Sequence, residues 1–160
     1  MEQIVREGLA ALGVRADEGA VQKLCGYGRL LLEANEVTNL TAIRDPAGVA
    51  RLHFLDSAAL LTLADFGGKR VIDVGSGAGF PGVVLRILQP DIALTTLDGV
   101  RKKAEFTRAA CAALPLDGVE CLWGRAEELP ALRESFDIAV SRAVAELDIL
   151  AELCLPLVKP

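Results

Sequence analysis

The run from Arg70 to Gly82, RVIDVGSGAGFPG, constrains the fold more than any other part of the chain. Val71, Ile72 and Val74 are β-branched and apolar, the composition of a short buried strand. Asp73 falls at the end of that strand. Gly75, Gly77 and Gly79 then allow a tight turn and a close approach of backbone to a ligand. Pro81 suits a first helical turn, where its missing N–H has no partner to lose. Val83, Val84, Leu85, Ile87 and Leu88 continue as an apolar helix. Strand, glycine turn and helix together open a nucleotide-type α/β domain.

Two nucleotide readings compete for the turn. Gly77, Gly79 and Gly82 spell G-x-G-x-x-G, the dinucleotide fingerprint of a nicotinamide-dependent oxidoreductase, but that register starts three residues past Val74. The register that follows the strand directly is Asp73-x-Gly75-x-Gly77-x-Gly79. This pattern resembles the first motif of S-adenosylmethionine-dependent methyltransferases. A dinucleotide brings a pyrophosphate, which wants N–H groups at a helix N-terminus. S-adenosylmethionine brings an ammonium and a sulfonium, which want a carboxylate nearby.

Read from the N-terminus, residues 1–12 form a short helical pattern ending near Gly13. A second helix is predicted from about Asp17 to Ala34, with Val21, Leu24, Leu31 and Leu32 on one face and Gly26 and Gly28 weakening it. Residues 35–41 read as a polar break. Asp45-Pro46 reads as an N-cap and first helical position, followed by Val49, Leu52, Ala59, Leu60 and Leu63. Residues 1–66 are thus a helical lead-in to a core at 67–160, within one structural domain. Beyond the glycine turn, strands are predicted at 93–97, 119–123 and 136–140, with helices after the first and last of them. Such alternation implies a parallel sheet with helices on both faces.

Composition excludes several classes. The chain has 160 residues, 52% of them hydrophobic, which suits one domain with a real core. A net charge of −5 argues against general electrostatic binding to nucleic acid and leaves room for a local basic patch. Met1-Glu2-Gln3 lacks the basic start of a signal peptide, and no apolar run is long enough to span a bilayer. Cys25, Cys111, Cys121 and Cys154 show no pairing motif and read as reduced thiols of a cytoplasmic protein. One His without clustered ligands gives no metal site.

Ligands of such sheets sit beyond the carboxyl ends of the strands. Those ends carry Asp73, Asp98, Ala126-Glu127 and Ser141-Arg142. Asp98 is placed to accept the ribose hydroxyls of a bound nucleoside. Arg142 is a guanidinium beside a sheet, costly to leave without a partner. Arg101, Lys102, Lys103 and Arg108 cluster on one helix, either as a solvated face or as a contact for phosphates. His53 and Asp56 share a face of the lead-in helix. Tyr27 and Trp123 read as packing residues.

Four segments occur in an order that carries a specific resemblance. They are NLTAIR from Asn39 to Arg44, HFLDS from His53 to Ser57, VIDVGSGAGFPG from Val71 to Gly82, and Ser141-Arg142-Ala143. Together they resemble the bacterial small-subunit (16S) ribosomal RNA guanine-N7 methyltransferases, the RsmG or GidB family. The resemblance implies a Rossmann-like methyltransferase sheet behind an N-terminal helical segment, with S-adenosyl-L-methionine as donor. It implies donor contacts at Gly75, Phe80, Ala126, Glu127 and Arg142, beside Asp73, Gly77, Gly79 and Asp98 from the turn and strand ends. It implies methylation of a guanine in the decoding-region loop of the small-subunit RNA. The local basic groups Arg101, Lys102 and Lys103 are then the ones expected to face that RNA. Family members continue with further strands and a Lys-Gly segment, so the sequence reads as the donor half of a longer protein. A non-catalytic fragment that only docks on RNA or on a partner is the remaining alternative. Guanine N7 has an in-plane lone pair and no proton, so no catalytic base is expected. Arg142 is left to orient either the donor or the guanine.

Overall fold

The computed structural model describes residues 1–160. Its sheet has four parallel strands in the order β3-β2-β1-β4. They are β1 (Arg70–Val74), β2 (Ala93–Asp98), β3 (Val119–Trp123) and β4 (Ile138–Val140). The register pairs Asp73 with Thr96 on one side and Val140 on the other, so Asp73 lies in the middle of the sheet.

Helix α1 (Glu2–Leu12) ends on Gly13, whose φ of 71° closes the last turn. Helix α2 (Glu18–Thr38) is capped by Asp17, which accepts from the Ala20 N–H. It runs past the expected stop at Ala34 and ends on Asn39, in the left-handed region. The extension has a local cause. Asn35 stays helical and turns its side chain onto the next loop. Its Oδ1 accepts from Leu40 and Thr41 N–H, and its Nδ2 donates to the Thr41 carbonyl. Gly28 marks a close approach rather than a weak point, because a Cβ there would run into Met1 and the Phe54 ring.

Residues 46–62 are helical throughout but change pitch. An α turn, α3 (Pro46–Gly48), leads into a π-helical stretch, Val49–Leu55. A second α turn, α4 (Asp56–Ala58), and a 3₁₀ turn, Ala59–Thr62, complete it. A single regular helix was expected here. π geometry is uncommon and recurs at functional sites. Here it holds His53 and Leu52.

Beyond β1, helix α5 (Gly82–Leu88) and helix α6 (Arg101–Ala113) connect the strands. Pro81 sits at the N-cap of α5, one position before the expected one. Both helices, with α1, α2 and the π stretch, cover one face of the sheet. That face carries a continuous core of 28 buried residues, including Leu24, Leu31, Phe54, Val71, Leu85 and Leu94. The opposite face buries five, Ile72, Val74, Leu97, Phe136 and Leu157. Helices on both faces were expected. The second face instead takes two 3₁₀ turns (Ala126–Glu128 and Pro130–Leu132) and the short α7 (Leu147–Cys154), none of whose residues is fully buried. Gly124 and Pro130 interrupt the connection too often for a longer helix. At the outer edge of β4, Val158 forms a parallel bridge with Phe136, and Lys159 N–H donates to the Phe136 carbonyl.

Candidate functional site: a crevice at the strand ends

The glycine turn is fixed from three sides. Gly75 and Ser76 N–H both donate to the Leu97 carbonyl, at 2.8 and 3.1 Å, which ties the turn to β2. The Gly77 N–H donates to Asp98 Oδ2 at 2.7 Å. The Tyr27 hydroxyl, fully buried on α2, donates to the Ala78 carbonyl at 2.7 Å. Gly77 has a φ of 57°, and nothing lies within 4 Å of where its Cβ would stand. A side chain there is therefore strained by the backbone and would project into open space, the space a ligand needs.

Two cavities meet at Gly75. One, of about 190 Å³, is lined by Thr41, His53, Gly77, Phe80, Asp98 and Arg142 among others. The second, of about 280 Å³, runs past Gly99, Val100, Gly124, Ala126, Glu127 and Val144. Together they form a crevice beyond the ends of β1, β2 and β3, with a volume in the range of small-molecule sites, about 300–1,000 Å³. The largest cavity lies elsewhere, about 830 Å³ between α1, α2 and α5, and touches none of the strand ends.

Asp98 is at the heart of the crevice and almost buried. Its Oδ1 accepts from the Val100 N–H at 2.8 Å while Oδ2 holds Gly77. Each carboxylate oxygen has a second lone pair, so acceptor capacity remains for a ligand hydroxyl. Arg142 enters from the segment after β4. Its guanidinium donates to the Leu52 carbonyl (2.9 Å), Asp56 Oδ2 (2.9 Å) and His53 Nδ1 (2.8 Å). His53 stacks on Phe80, with centroids 4.4 Å apart and planes 7° from parallel. Burial, and then the Arg142 charge, push the imidazole down to about 4, against the opposing pull of Asp56.

The crevice thus brings together Gly75, Gly77, Phe80, Asp98, Ala126, Glu127, Arg142 and also Lys103. Four expected contacts are not on its walls. Asp73 is fully buried beneath α5, where Oδ2 accepts from the Gly82 N–H at 2.7 Å and Oδ1 has no partner. Burial raises it to about 7. Direct contact with a donor ammonium is therefore replaced by a different role, holding the start of α5 against the sheet. Alternation explains this, because Asp73 points to the helix-covered face as Val71 does. Gly79 packs against Tyr27 and Val83 instead of lining the cavity. Arg101 is paired with Glu105 at 2.8 Å and lies over the Trp123 ring, and Lys102 is exposed to solvent.

Three contributors were not read from the sequence as site residues. Tyr27 props up the glycine turn. Thr41 bonds to His53 Nε2 at 2.8 Å. Val144 lies against Gly75, where a Cβ would collide with it. Only the place of Thr41 and His53 within the segments that carry the family resemblance signalled the second of these, because chain-distant contacts leave no periodic trace.

A parallel sheet with a glycine turn after β1 and a ligand crevice over its carboxyl ends has the fold of S-adenosylmethionine-dependent methyltransferases. Solved structures agree. An O-methyltransferase from Bacillus cereus, in complex with SAH, superposes with a TM-score of 0.61 at 21% identity, covering 95% of this chain and 66% of its own. A SAM-dependent methyltransferase from Aquifex aeolicus gives 0.59 at 22%, covering 77% and 67%. The sequence narrows the class. Residues 20–160 match the family described as rRNA small subunit methyltransferase G, GidB, and the chain belongs to it. A relative named ribosomal RNA small subunit methyltransferase G, from Symbiobacterium thermophilum, is 47% identical over 98% of this chain and 67% of its own length. One of the same name from Moorella thermoacetica is 44% identical, over 92% and 63%. The chain therefore spans about two thirds of the length of the curated relatives it matches.

Proposed function

We propose that this chain binds S-adenosyl-L-methionine in the strand-end crevice and directs its methyl group to N7 of a guanine in 16S ribosomal RNA. The observation that carries the reading is the open space beside Gly77, with the Asp98 carboxylate on its wall and the Ala126-Glu127 turn further along. When bound, S-adenosylmethionine supplies an electrophilic methyl group on a sulfonium. Asp98 accepts hydrogen bonds from the ribose. Ala126 and Glu127 border the end of the crevice suited to the adenine, and Gly77 lets the donor lie against the backbone. Arg142 stands where the donor's amino-acid end and the target base meet. No residue removes a proton, because N7 carries none, and positioning of the two reactants is the main contribution of the protein. Lys103 on the cavity wall, with the exposed Arg101 and Lys102 on the same helix, gives an otherwise acidic chain a local attraction for RNA phosphates.

A dinucleotide is disfavoured by the helix end itself. The first N–H of α5 already donates to the internal Asp73 carboxylate, so that positive terminus is not offered to a pyrophosphate. The test is calorimetry with S-adenosylhomocysteine and with NAD, followed by methyl transfer to under-methylated small subunits with mapping of the modified base. Binding of the first compound and a mark on a guanine N7 are expected. Binding of NAD instead, or binding without any transfer, overturns the reading.

A further inference from the structure

We propose that His53 is a positioning residue, a neutral imidazole fixed in one tautomer that holds Arg142 at the mouth of the crevice through Nδ1. The assignment rests on the function proposed above for the crevice, but its geometry stands in the ligand-free chain.

The donor and acceptor chemistry of the cluster leaves one arrangement. A guanidinium only donates, so the 2.8 Å contact between Arg142 and His53 Nδ1 requires a lone pair on Nδ1. A neutral imidazole then carries its proton on Nε2, which donates to Thr41 Oγ1 at 2.8 Å. Thr41 is held in turn, since its Oγ1 also accepts from the Ile43 N–H. Phe80 fixes the ring plane by stacking. The three partners come from different parts of the chain, the loop after α2, the glycine turn and the segment after β4, while the ring itself stands on the π-helical stretch. The imidazole is therefore the joint through which the helical lead-in sets the position of a strand-end guanidinium.

The charges around the ring favour the neutral form. Arg142 faces it directly, Asp56 lies on the same helical run, and Asp98 and Lys103 stand across the cavity. Burial and Arg142 oppose a second positive charge, and Asp56 only partly offsets them. A protonated ring would also lose the acceptor that Arg142 needs. With the Leu52 carbonyl and Asp56 as its other acceptors, Arg142 has three of its N–H groups committed to the lead-in. A guanidinium has five in all, so two stay available to a ligand in the crevice.

Two substitutions separate this role from simple packing. His53→Asn keeps an acceptor near the Nδ1 position and loses the ring stack on Phe80. His53→Phe keeps the stack and loses the acceptor. Calorimetry with S-adenosylhomocysteine is expected to give an affinity within about 3-fold of the parent for His53→Asn and at least about 10-fold weaker for His53→Phe. The reverse order means that the ring is only packing and overturns the proposal. A readout without ligand covers variants that do not fold. The chain has one His, so ¹⁵N-labelled imidazole signals are unambiguous. They should show a pyridine-like Nδ1 and a pyrrole-like Nε2, unchanged from about pH 8 to pH 5.5, whereas an ordinary His titrates near 6.5. Titration near 6.5 in the parent chain, or the opposite tautomer, overturns the proposal. Failure of the parent to bind S-adenosylhomocysteine overturns the function proposed above, and the spectrum then decides the His53 assignment alone.

Discussion

The two faces of the sheet are built from the same strands and end in very different packing. One face is closed by α1, α2, the π-helical stretch, α5 and α6 over a 28-residue core. The other buries five residues under 3₁₀ turns and α7, and leaves Leu147, Ile149 and Leu155 exposed. The crevice belongs to both. Its Gly77–Asp98–Arg142 wall is braced by the thick face through Tyr27 and His53. Its Ala126–Glu127 wall rests on the thin one. Site geometry is rigid where a deep core stands behind it and softer where it does not.

The comparison breaks most directly with a matched pair of Leu→Ala substitutions. Leu85 on the thick face and Leu157 on the thin one are both essentially inaccessible to solvent. Truncating a buried Leu costs about 2–5 kcal/mol, and the spread reflects how far the surroundings collapse into the space. Leu85→Ala should fall near the upper end, about 4–5 kcal/mol, because helices and sheet enclose it. Leu157→Ala should fall near about 2–3 kcal/mol, because the thinly packed 3₁₀ turns and α7 can move in. Urea denaturation of both variants measures the difference, and equal losses would show that the second face is as well packed as the first.

A second measurement sharpens the electrostatics of the thick face. Asp73 is raised to about 7 against an ordinary carboxyl near 3.8. Its folded form holds a proton that the unfolded chain has released. Asp73 therefore lowers stability as pH rises from about 4 to about 7, by roughly 4 kcal/mol in total, and adds no slope above that. His53, depressed to about 4 from 6.5, has the opposite sign. It binds its proton in the unfolded chain first, so stability rises with pH from about 4 to about 6.5. The two slopes nearly cancel in the parent protein. Asp73→Asn should remove one of them and leave stability rising across that window. Chemical denaturation of parent and variant at intervals from pH 4.5 to 8 reads both slopes: matching profiles would refute the burial argument for Asp73, and a flat profile in the variant would refute it for His53.

Much of the thick face is legible in the sequence. The boundaries of β2 and β3 followed from apolar runs ending at Asp98 and Trp123, and α1 from its close at Gly13. The crevice residues followed from the rule that ligands sit at the carboxyl ends of parallel strands. What stayed hidden was orientation. Asp73 looked like a ligand contact by position, yet strand alternation turns it under α5. Asn35 looked like a break, yet its side chain serves the loop while its backbone stays helical. The π pitch of residues 49–55 has no signature in periodicity, and the thin covering of the second face depends on how little the segment between β3 and β4 folds into helix.

Tyr27 tests the bracing of the crevice from the thick face at a finer scale. Tyr27→Phe leaves the ring contacts with Phe80 and Phe106 in place and removes one buried hydrogen bond to Ala78. A loss of about 1–2 kcal/mol in stability is expected. The loosened glycine turn should also weaken binding of S-adenosylhomocysteine several-fold. Full retention of affinity, measured by calorimetry, would mean that the tie of Gly75 and Ser76 to β2 holds the turn without help from α2.

The smallest expected effect on folding concerns the thin face and has the clearest readout in association. Leu147 is 80% exposed and Leu155 66% exposed, with Ile149 on the same short helix. Exposed side chains lose little transfer energy when replaced, so Leu147→Glu with Leu155→Glu should change folding stability by no more than about 0.5 kcal/mol. Leu155 opens the 3₁₀ turn (Leu155–Leu157) that directly follows α7, so the three exposed side chains lie on one short stretch of chain. Large apolar side chains exposed together on a short segment promote self-association. The parent chain should therefore show concentration-dependent mass by light scattering, and the double variant should be smaller at the same concentration with unchanged affinity for S-adenosylhomocysteine. If the parent is monodisperse at high concentration, the thin face is sufficiently covered as it stands. The contrast between the two faces would then lie in depth of packing alone, and not in exposure.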